Sequence, residues 1–401
     1  MRRRLVRLLL AALVAMASFV AWDVHTPSRV AWQPAELQGI PVERAEGLVL
    51  QHERGDEVYA SEGWSIYRSH AGGAFEKVYT LVPRVGEAWA GFSSLLRRQF
   101  GYQELVEVLP LGGDEVVVFG GGDVYRVDLG SGEQERVHTL RYFGRGKGRG
   151  VMPHGVALAA DGTIFYGEYP TTLGGPPYTV AIWRGEDEGR RWSPIHEFAA
   201  GEVRHVHFVE IDPVDGALWI GTGDRSPESR LGRSTDGGLT FTWVGRDSQD
   251  FRACSLLFFP GLVVWGTDND LGENHFLRWH RDDARVERTD ARLPSPTYYT
   301  QAVDSELGVL ASMEKGAAVY AVAPEGEPRP VVSWTMPAFR PDRPHPGVRL
   351  ARQGPGPVAA HDWILVNPLR TVEEEAAIVR LPVGRVREAA AGPAPSAVGG
   401  R

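Results

Sequence analysis

The sequence predicts an all-β fold: a seven-bladed β-propeller of four-stranded antiparallel blades, its ring closed by an N-terminal strand. Three observations predict it. A strand–turn–strand pattern ending in an acidic residue recurs from His154, His205, Arg252 and Tyr298, at intervals of 51, 47 and 46 residues. The 401 residues include 48 Gly and 28 Pro, a composition that suits short strands joined by tight turns. The last unit lacks a fourth strand after AAIVRL (376–381), while SRVAW (28–32) has no partner of its own. Pairing these two would leave no open sheet edge.

The elements follow in chain order. Arg2, Arg3, Arg4 and Arg7 precede fifteen residues (8–22) whose one polar member is Ser18. A basic start before a short apolar run reads as a secretory signal peptide or an uncleaved N-terminal membrane anchor over residues 1–22. The propeller then occupies 28–388. Its first two units open at AEGLVLQHERGDEVYASEG (45–63) and YQELVEVLPLGGDEVVVFGGGD (102–123). Four clearer copies lie at 153–169, 204–224, 251–270 and 298–316, and the seventh at 348–368. Third strands such as VAIWR (180–184) and fourth strands such as RPVVSWTM (329–336) complete the units. Three longer connections break the regularity. GFSSLLRRQF within 82–103 suits a short helix, RYFGRGKGRG (141–150) is basic and Gly-rich, and PAFRPDRPHPG (337–347) is irregular. Residues 389–401, AAAGPAPSAVGGR, read as a disordered tail.

Charge and cysteine count exclude several function classes. A net charge of −8 argues against a nucleic-acid binder. One cysteine, Cys254, permits neither an internal disulfide nor a cysteine-based zinc site, and on an inner strand it reads as a small buried hydrophobe. The expected protein is an exported monomer, periplasmic, extracellular or membrane-anchored, touching a membrane only through an uncleaved N-terminal segment.

One turn carries a family resemblance. STDGGLTF (Ser234–Phe241) has the form S-x-D-x-G-x-T-F, in which Asp accepts turn amides and Gly supplies a positive φ. GEDEGRRW (185–192) keeps Asp187, Gly189 and Trp192 in the same places, and SHAGGAF (69–75) keeps Ser69 and Gly73 with Ala71 at the Asp position. The chain thus resembles the sialidase-like BNR (Asp-box) repeat propellers over most of its length. That resemblance implies a structural role for Asp236 and Asp187, and a glycosidase-type activity on carbohydrate. The family's F/Y-R-I-P string has its nearest counterpart in QGIPVER, with Gly39 in place of Arg.

Propeller geometry assigns the candidate site. Residues that open a first strand and residues that close a second strand meet around one mouth of the ring. The first strands contribute His154, His205, Arg252 and Tyr298; the second strands end at Glu168, Asp224, Asp268 and Glu314. Glu168, Asp224, Asp268, Glu314 and Tyr298 are the expected catalytic groups, with Glu168 or Asp224 as general acid because each sits beside a histidine. Crowded carboxylates raise one another's pKa and suit acid–base work. Arg252, with Arg145, Lys147 and Arg149 from the Gly-rich loop, would grip an anionic substrate. His154, His205 and His207 are candidate ligands for a divalent cation, His205 and His207 pointing to one side of a strand. Trp64, Trp219 and Trp265 would stack on sugars or pack between blades. The leading reading is a propeller that binds or processes carbohydrate, with an anionic glycan as ligand. A non-catalytic envelope binding or assembly module is the alternative, and a metal-assisted polysaccharide lyase the third.

Overall fold

The computed structural model describes residues 28–83, 105–144, 147–171, 178–270, 272–337, 346–353, 361–374 and 376–392, with a few positions between 10 and 18. Among them are seven antiparallel sheets of four or more strands, in chain order, and one small three-stranded sheet. Inner strands are buried along their length, as in His205–Ile211 and Leu218–Gly223, because both faces meet neighbouring sheets. Outer strands alternate, as in Arg329–Trp334, because one side meets water. Each apolar core lies between successive sheets. One packs Tyr59 and Ile66 against Val108 and Val116, another Phe208 and Trp219 against Val263 and Trp265. The last sheet packs back on the first through Leu365 and Ile378 against Leu50 and Ala60. Trp64, Trp219 and Trp265 lie in these cores and are not available to stack on sugars.

An N-terminal strand does close the last sheet, but a different one from that expected. Ile40–Glu46 pairs with Ala377–Pro382, and Gln33–Leu37 adds a fifth strand outside it. Residues 28–32 serve elsewhere, since Arg29 and Val30 pair with Glu76 and Phe75 on the outer edge of the first sheet. Alternation at Ile40 and Val42, buried on one side of IPVERAE while Ala45 is buried on the other, is the signal that should have selected 40–46. Buried Asn367 fastens the junction. Its Oδ1 accepts from Leu50 N at 2.9 Å, and its Nδ2 donates to Leu48 O and Ala377 O at 3.2 and 2.8 Å. Arg352–Gln353 runs parallel to His52–Glu53 amid the innermost strands. Arg352 NH2 donates to Val156 O and Val209 O, and Gln353 Nε2 to Ala302 O, so one dipeptide ties four sheets together. A helix, Val383–Ala391, follows the last strand and extends to residue 391, overlapping the segment read as a tail. Among the described residues no helix is long and apolar enough to cross a membrane.

The turn over Ser234–Phe241 joins the third and fourth strands of its sheet. Asp236 Oδ1 accepts from Thr240 N at 3.0 Å and from Ser234 Oγ at 2.7 Å, and Oδ2 accepts from Thr240 Oγ1 at 2.6 Å. These bonds hold the Asp236 carboxyl down at about 2. The segments around Asp187 and Ala71 occupy the same hairpin position, both with positive φ. Asp236→Ala is expected to lower the melting temperature and leave ligand affinity unchanged. An unchanged melting temperature with lost affinity would give this turn a binding role.

Glu53 sits by the axis, where its carboxylate accepts from Gln301 Nε2 at 2.8 Å. Burial pushes it up to about 7. Its folded form therefore holds a proton more tightly than the unfolded chain, so stability is full below about 4.5 and declines as pH rises through 7. Glu53→Gln should melt higher than the native protein at pH 8 and equally at pH 4. Equal melting at both values would show that this carboxylate does not limit stability.

Candidate functional site

Three lone-pair donors converge where the fourth sheet's first strand begins. His205 and His207 alternate along His205–Ile211, and Asp224 follows the strand Leu218–Gly223 paired with it. His205 Nε2 lies 3.1 Å from His207 Nε2, and Asp224 Oδ1 lies 3.1 and 3.2 Å from the two nitrogens. Each imidazole directs its other nitrogen to a backbone carbonyl, His205 Nδ1 to Pro170 O at 3.3 Å and His207 Nδ1 to Ala253 O at 3.2 Å. A carbonyl only accepts, so each Nδ1 donates there, and in the tautomer with one ring proton Nε2 is the bare nitrogen. Two imidazole lone pairs and a carboxylate oxygen facing one another repel unless a positive charge joins them. Donors about 2.1–2.2 Å from a six-coordinate ion stand about 3.0–3.1 Å apart across a right angle. The observed triangle fits that geometry.

Arginines surround this triangle. Arg252 NH2 is 3.3 Å from Asp224 Oδ1, its Nε 3.1 Å from Asp268 Oδ2, and its NH1 2.7 Å from Asp270 Oδ1. Arg204 NH1 binds Asp224 Oδ2 at 2.8 Å. Asp224 is thus held by two guanidinium groups as well as facing the two rings, and the expectation that it serves as general acid is corrected. Asp268, fully buried, is pushed up to about 6 by desolvation. Arg252 is itself buried and already bound to three carboxylates, so it organises the site and has no free fork for a substrate.

Tyr298 and Glu314 meet as the repeat implied, Tyr298 OH donating to Glu314 Oε1 at 2.6 Å. Glu314 has φ of 71°, a left-handed conformation that a non-glycine residue adopts only when its surroundings impose it. Burial raises the Tyr298 phenol well above its ordinary value. His154 lies beside these rings, stacked on Tyr298 at 6.0 Å and edge-on to Tyr299 at 5.4 Å. It is apart from the donor triangle, and burial holds it well below its ordinary value, hence neutral.

Glu168 is corrected outright. Its Oε1 accepts from Arg141 Nε at 2.6 Å and Trp183 Nε1 at 2.8 Å, its Oε2 from Arg141 NH2 at 2.7 Å and Ala181 N at 2.9 Å. A buried carboxylate with these four bonds braces the Arg141 connection against its own sheet, and its acceptor sites are already taken. Nor is 141–150 a simple loop. Phe143–Gly144 and Gly148–Gly150 form a small sheet with Tyr169–Pro170. Gly148 has φ of 144°, and a Cβ there would lie 2.5 Å from Tyr169 O, so only glycine lets these strands close. That sheet lays Tyr169 flat on His205, ring centroids 3.9 Å apart. Arg149 is half-buried on it, with Met152 Sδ at 3.8 Å as its hydrogen-bond partner and no carboxylate partner among the described residues. Lys147 is exposed on the same sheet. Arg145 lies outside the described residues, as do 84–104 and 338–345 of the other two long connections.

Reading by repeat position missed Tyr169, Arg204 and Asp270. It also misjudged Cys254 as a mere small hydrophobe outside any metal site: its Sγ is 3.5 Å from His207 Nδ1 and 3.4 Å from Asp268 Oδ2, so a single cysteine can share a mixed donor set. Asp270 was legible, two residues beyond Asp268 on the same strand exit; Tyr169 was not, because its position depends on the small sheet.

No protein-family model matches the sequence, and no curated protein matches it. Solved structures do. An oligogalacturonate lyase in complex with manganese is 11% identical with a TM-score of 0.58, over 90% of this chain and 98% of that one. An oligogalacturonate lyase from Vibrio parahaemolyticus is 10% identical with a TM-score of 0.58, over 90% and 99%. YCF48 bound to D1 peptide is 12% identical with a TM-score of 0.50, over 88% and 98%. The chain is a β-propeller. At these identities the likeness covers the fold alone, and the propeller's chemistry has to be argued from its own residues.

Proposed function

We propose that this propeller, with its seven sheets as the blades of a closed ring, is exported and holds a divalent cation at the mouth, where it binds and processes an acidic carbohydrate. The observation that carries this reading is the triangle of His205 Nε2, His207 Nε2 and Asp224 Oδ1, both histidines being held in the tautomer that leaves Nε2 bare. A cation held by His205, His207 and Asp224 would supply positive charge to neutralise a sugar carboxylate and acidify the adjoining C–H. Arg149 and Lys147 provide positive charge for an anionic chain, and the Tyr298–Glu314 pair can hold and return a proton. The pairing of a triangle that can hold a cation with the Tyr298–Glu314 pair supports a lyase-type reaction over hydrolysis. So does the absence of an arginine at Gly39 and the full engagement of Arg252. The basic and apolar N-terminal residues support export. The sialidase-like Asp-box kinship remains part of the reading through the Ser234–Phe241 turn.

The test is calorimetric titration of the purified protein with Mn2+, then with uronate-containing oligosaccharides in the presence and absence of the ion, monitoring unsaturated product by ultraviolet absorbance. Ion-dependent binding with product supports the proposal. Ion-dependent binding without product supports the binding module, which the engagement of Glu168 with Arg141 favours. No ion binding overturns the proposal.

A further inference from the structure

On the far side of the His207 ring lies a second set of donors of different chemistry. His207 Nδ1 is 3.5 Å from Cys254 Sγ and 3.7 Å from Asp268 Oδ2, and Cys254 Sγ is 3.4 Å from Asp268 Oδ2. All three residues are buried. Nitrogen and oxygen about 2.0 Å from an ion, with sulfur at about 2.3 Å, stand about 3.3–3.6 Å apart across a tetrahedral angle. The observed separations, 3.4, 3.5 and 3.7 Å with the nitrogen–oxygen edge the longest, are wider than the 3.1–3.2 Å of the outer triangle and nearer to that spacing. Asp268 Oδ1 is buried with no hydrogen-bond partner, although Oδ2 already meets Arg252 Nε at 3.1 Å. An orphaned carboxylate oxygen beside a thiol and an imidazole nitrogen calls for a further partner.

We propose that His207 Nδ1, Cys254 Sγ and Asp268 form an inner site for a thiophilic cation such as Zn2+ or Cd2+, separate from the outer site and exclusive of it. The exclusion rests on the outer-site reading, and its cause is the tautomer of one ring. Binding at Nδ1 requires that nitrogen to be bare, so the neutral imidazole carries its proton on Nε2. That proton then points into the outer triangle, 3.1 Å from His205 Nε2 and 3.2 Å from Asp224 Oδ1, and occupies the place of the outer ion. The thiol proton leaves to solvent as Cys254 binds. Soft thiolate selects the inner ion, while imidazole and carboxylate accept a harder one outside. The site thus discriminates between metals through a single histidine.

Cys254 is the only cysteine in the chain, so a thiolate-to-metal absorption band has one source. Titrating the wild-type protein with Co2+ or Cd2+ should produce a near-ultraviolet charge-transfer band that saturates at one equivalent. Cys254→Ser should remove the band and weaken Cd2+ binding roughly 10²-fold, while leaving Mn2+ affinity unchanged. His205→Ala should do the converse, keeping the band and losing Mn2+. One equivalent of Cd2+ should release Mn2+ from the wild-type protein, seen as the return of the free-ion electron paramagnetic resonance signal. Absence of the band in saturated wild-type protein overturns the inner site and needs no variant to interpret. Loss of the band in His205→Ala also overturns it, by making one mixed site of both donor sets. A band with no Mn2+ binding at all would leave the inner site standing and defeat the outer reading alone.

Discussion

His205→Ala should weaken Mn2+ binding on the order of 10²- to 10³-fold while the protein stays folded. The magnitude follows from sharing the roughly 10–16 kcal/mol of a tightly held ion among its ligands. Folding should survive because His205 meets the small sheet only through one long contact to Pro170 O and the ring of Tyr169, and the apolar cores between the large sheets do not include it. Removing the ring leaves His207 Nε2 and Asp224 Oδ1 at 3.2 Å, a pair that can share a proton but supplies only two donors for a cation. The loss should be larger than that from His154→Ala, because His154 stands outside the donor triangle. Calorimetric titration of both variants checks the ranking. Equal losses, or no loss in His205→Ala, would remove the triangle from consideration.

Arg252→Met should be the most damaging single change near the site, lowering stability by about 3–5 kcal/mol at neutral pH, as when one partner of a buried ion pair is removed. Asp224, Asp268 and Asp270 all lose the guanidinium they share. Asp268, already raised above its ordinary value to about 6 by burial with the arginine present, then rises further, so the variant binds that proton more tightly when folded and regains stability as pH falls. The gap in melting temperature between variant and native protein should therefore narrow between pH 7 and pH 5. A gap that stays constant with pH would mean the arginine acts through packing rather than charge. The same variant should bind Mn2+ more weakly, because Asp224 loses one of the groups that fix its position.

Much of the candidate site was legible because repeat position is a one-dimensional property. His205, Asp224, Arg252, Asp268, Tyr298 and Glu314 each open a first strand or follow a second one, and a ring of such sheets brings these points together regardless of side-chain detail. Glu168 holds the equivalent position in the third sheet, yet it does different work. The difference is Arg141, which comes from the connection before the repeat and has no register with it. Repeat position specifies where a carboxylate is, and its neighbours specify whether it is free.

What the sequence by itself determined was the class of fold, the even spacing of its sheets, the need for an N-terminal strand to close the last of them, and the pairing of His205 with His207 on one side of a strand. These depend on local periodicity and on counting. Only the tertiary structure decided which N-terminal segment closes the ring, because 28–32 and 40–46 both carry strand character and the choice rests on Ile40 and Val42 packing toward the sixth sheet while Ala45 packs toward the first. Only it decided that Cys254 touches His207 and Asp268, that Arg252 is fully engaged, and that Tyr169 covers His205. Each of these is a contact between residues from different strands, set by how sheets pack side by side. The physical reason is that charge and coordination act over 3–4 Å in space, a distance that spacing along the chain does not encode.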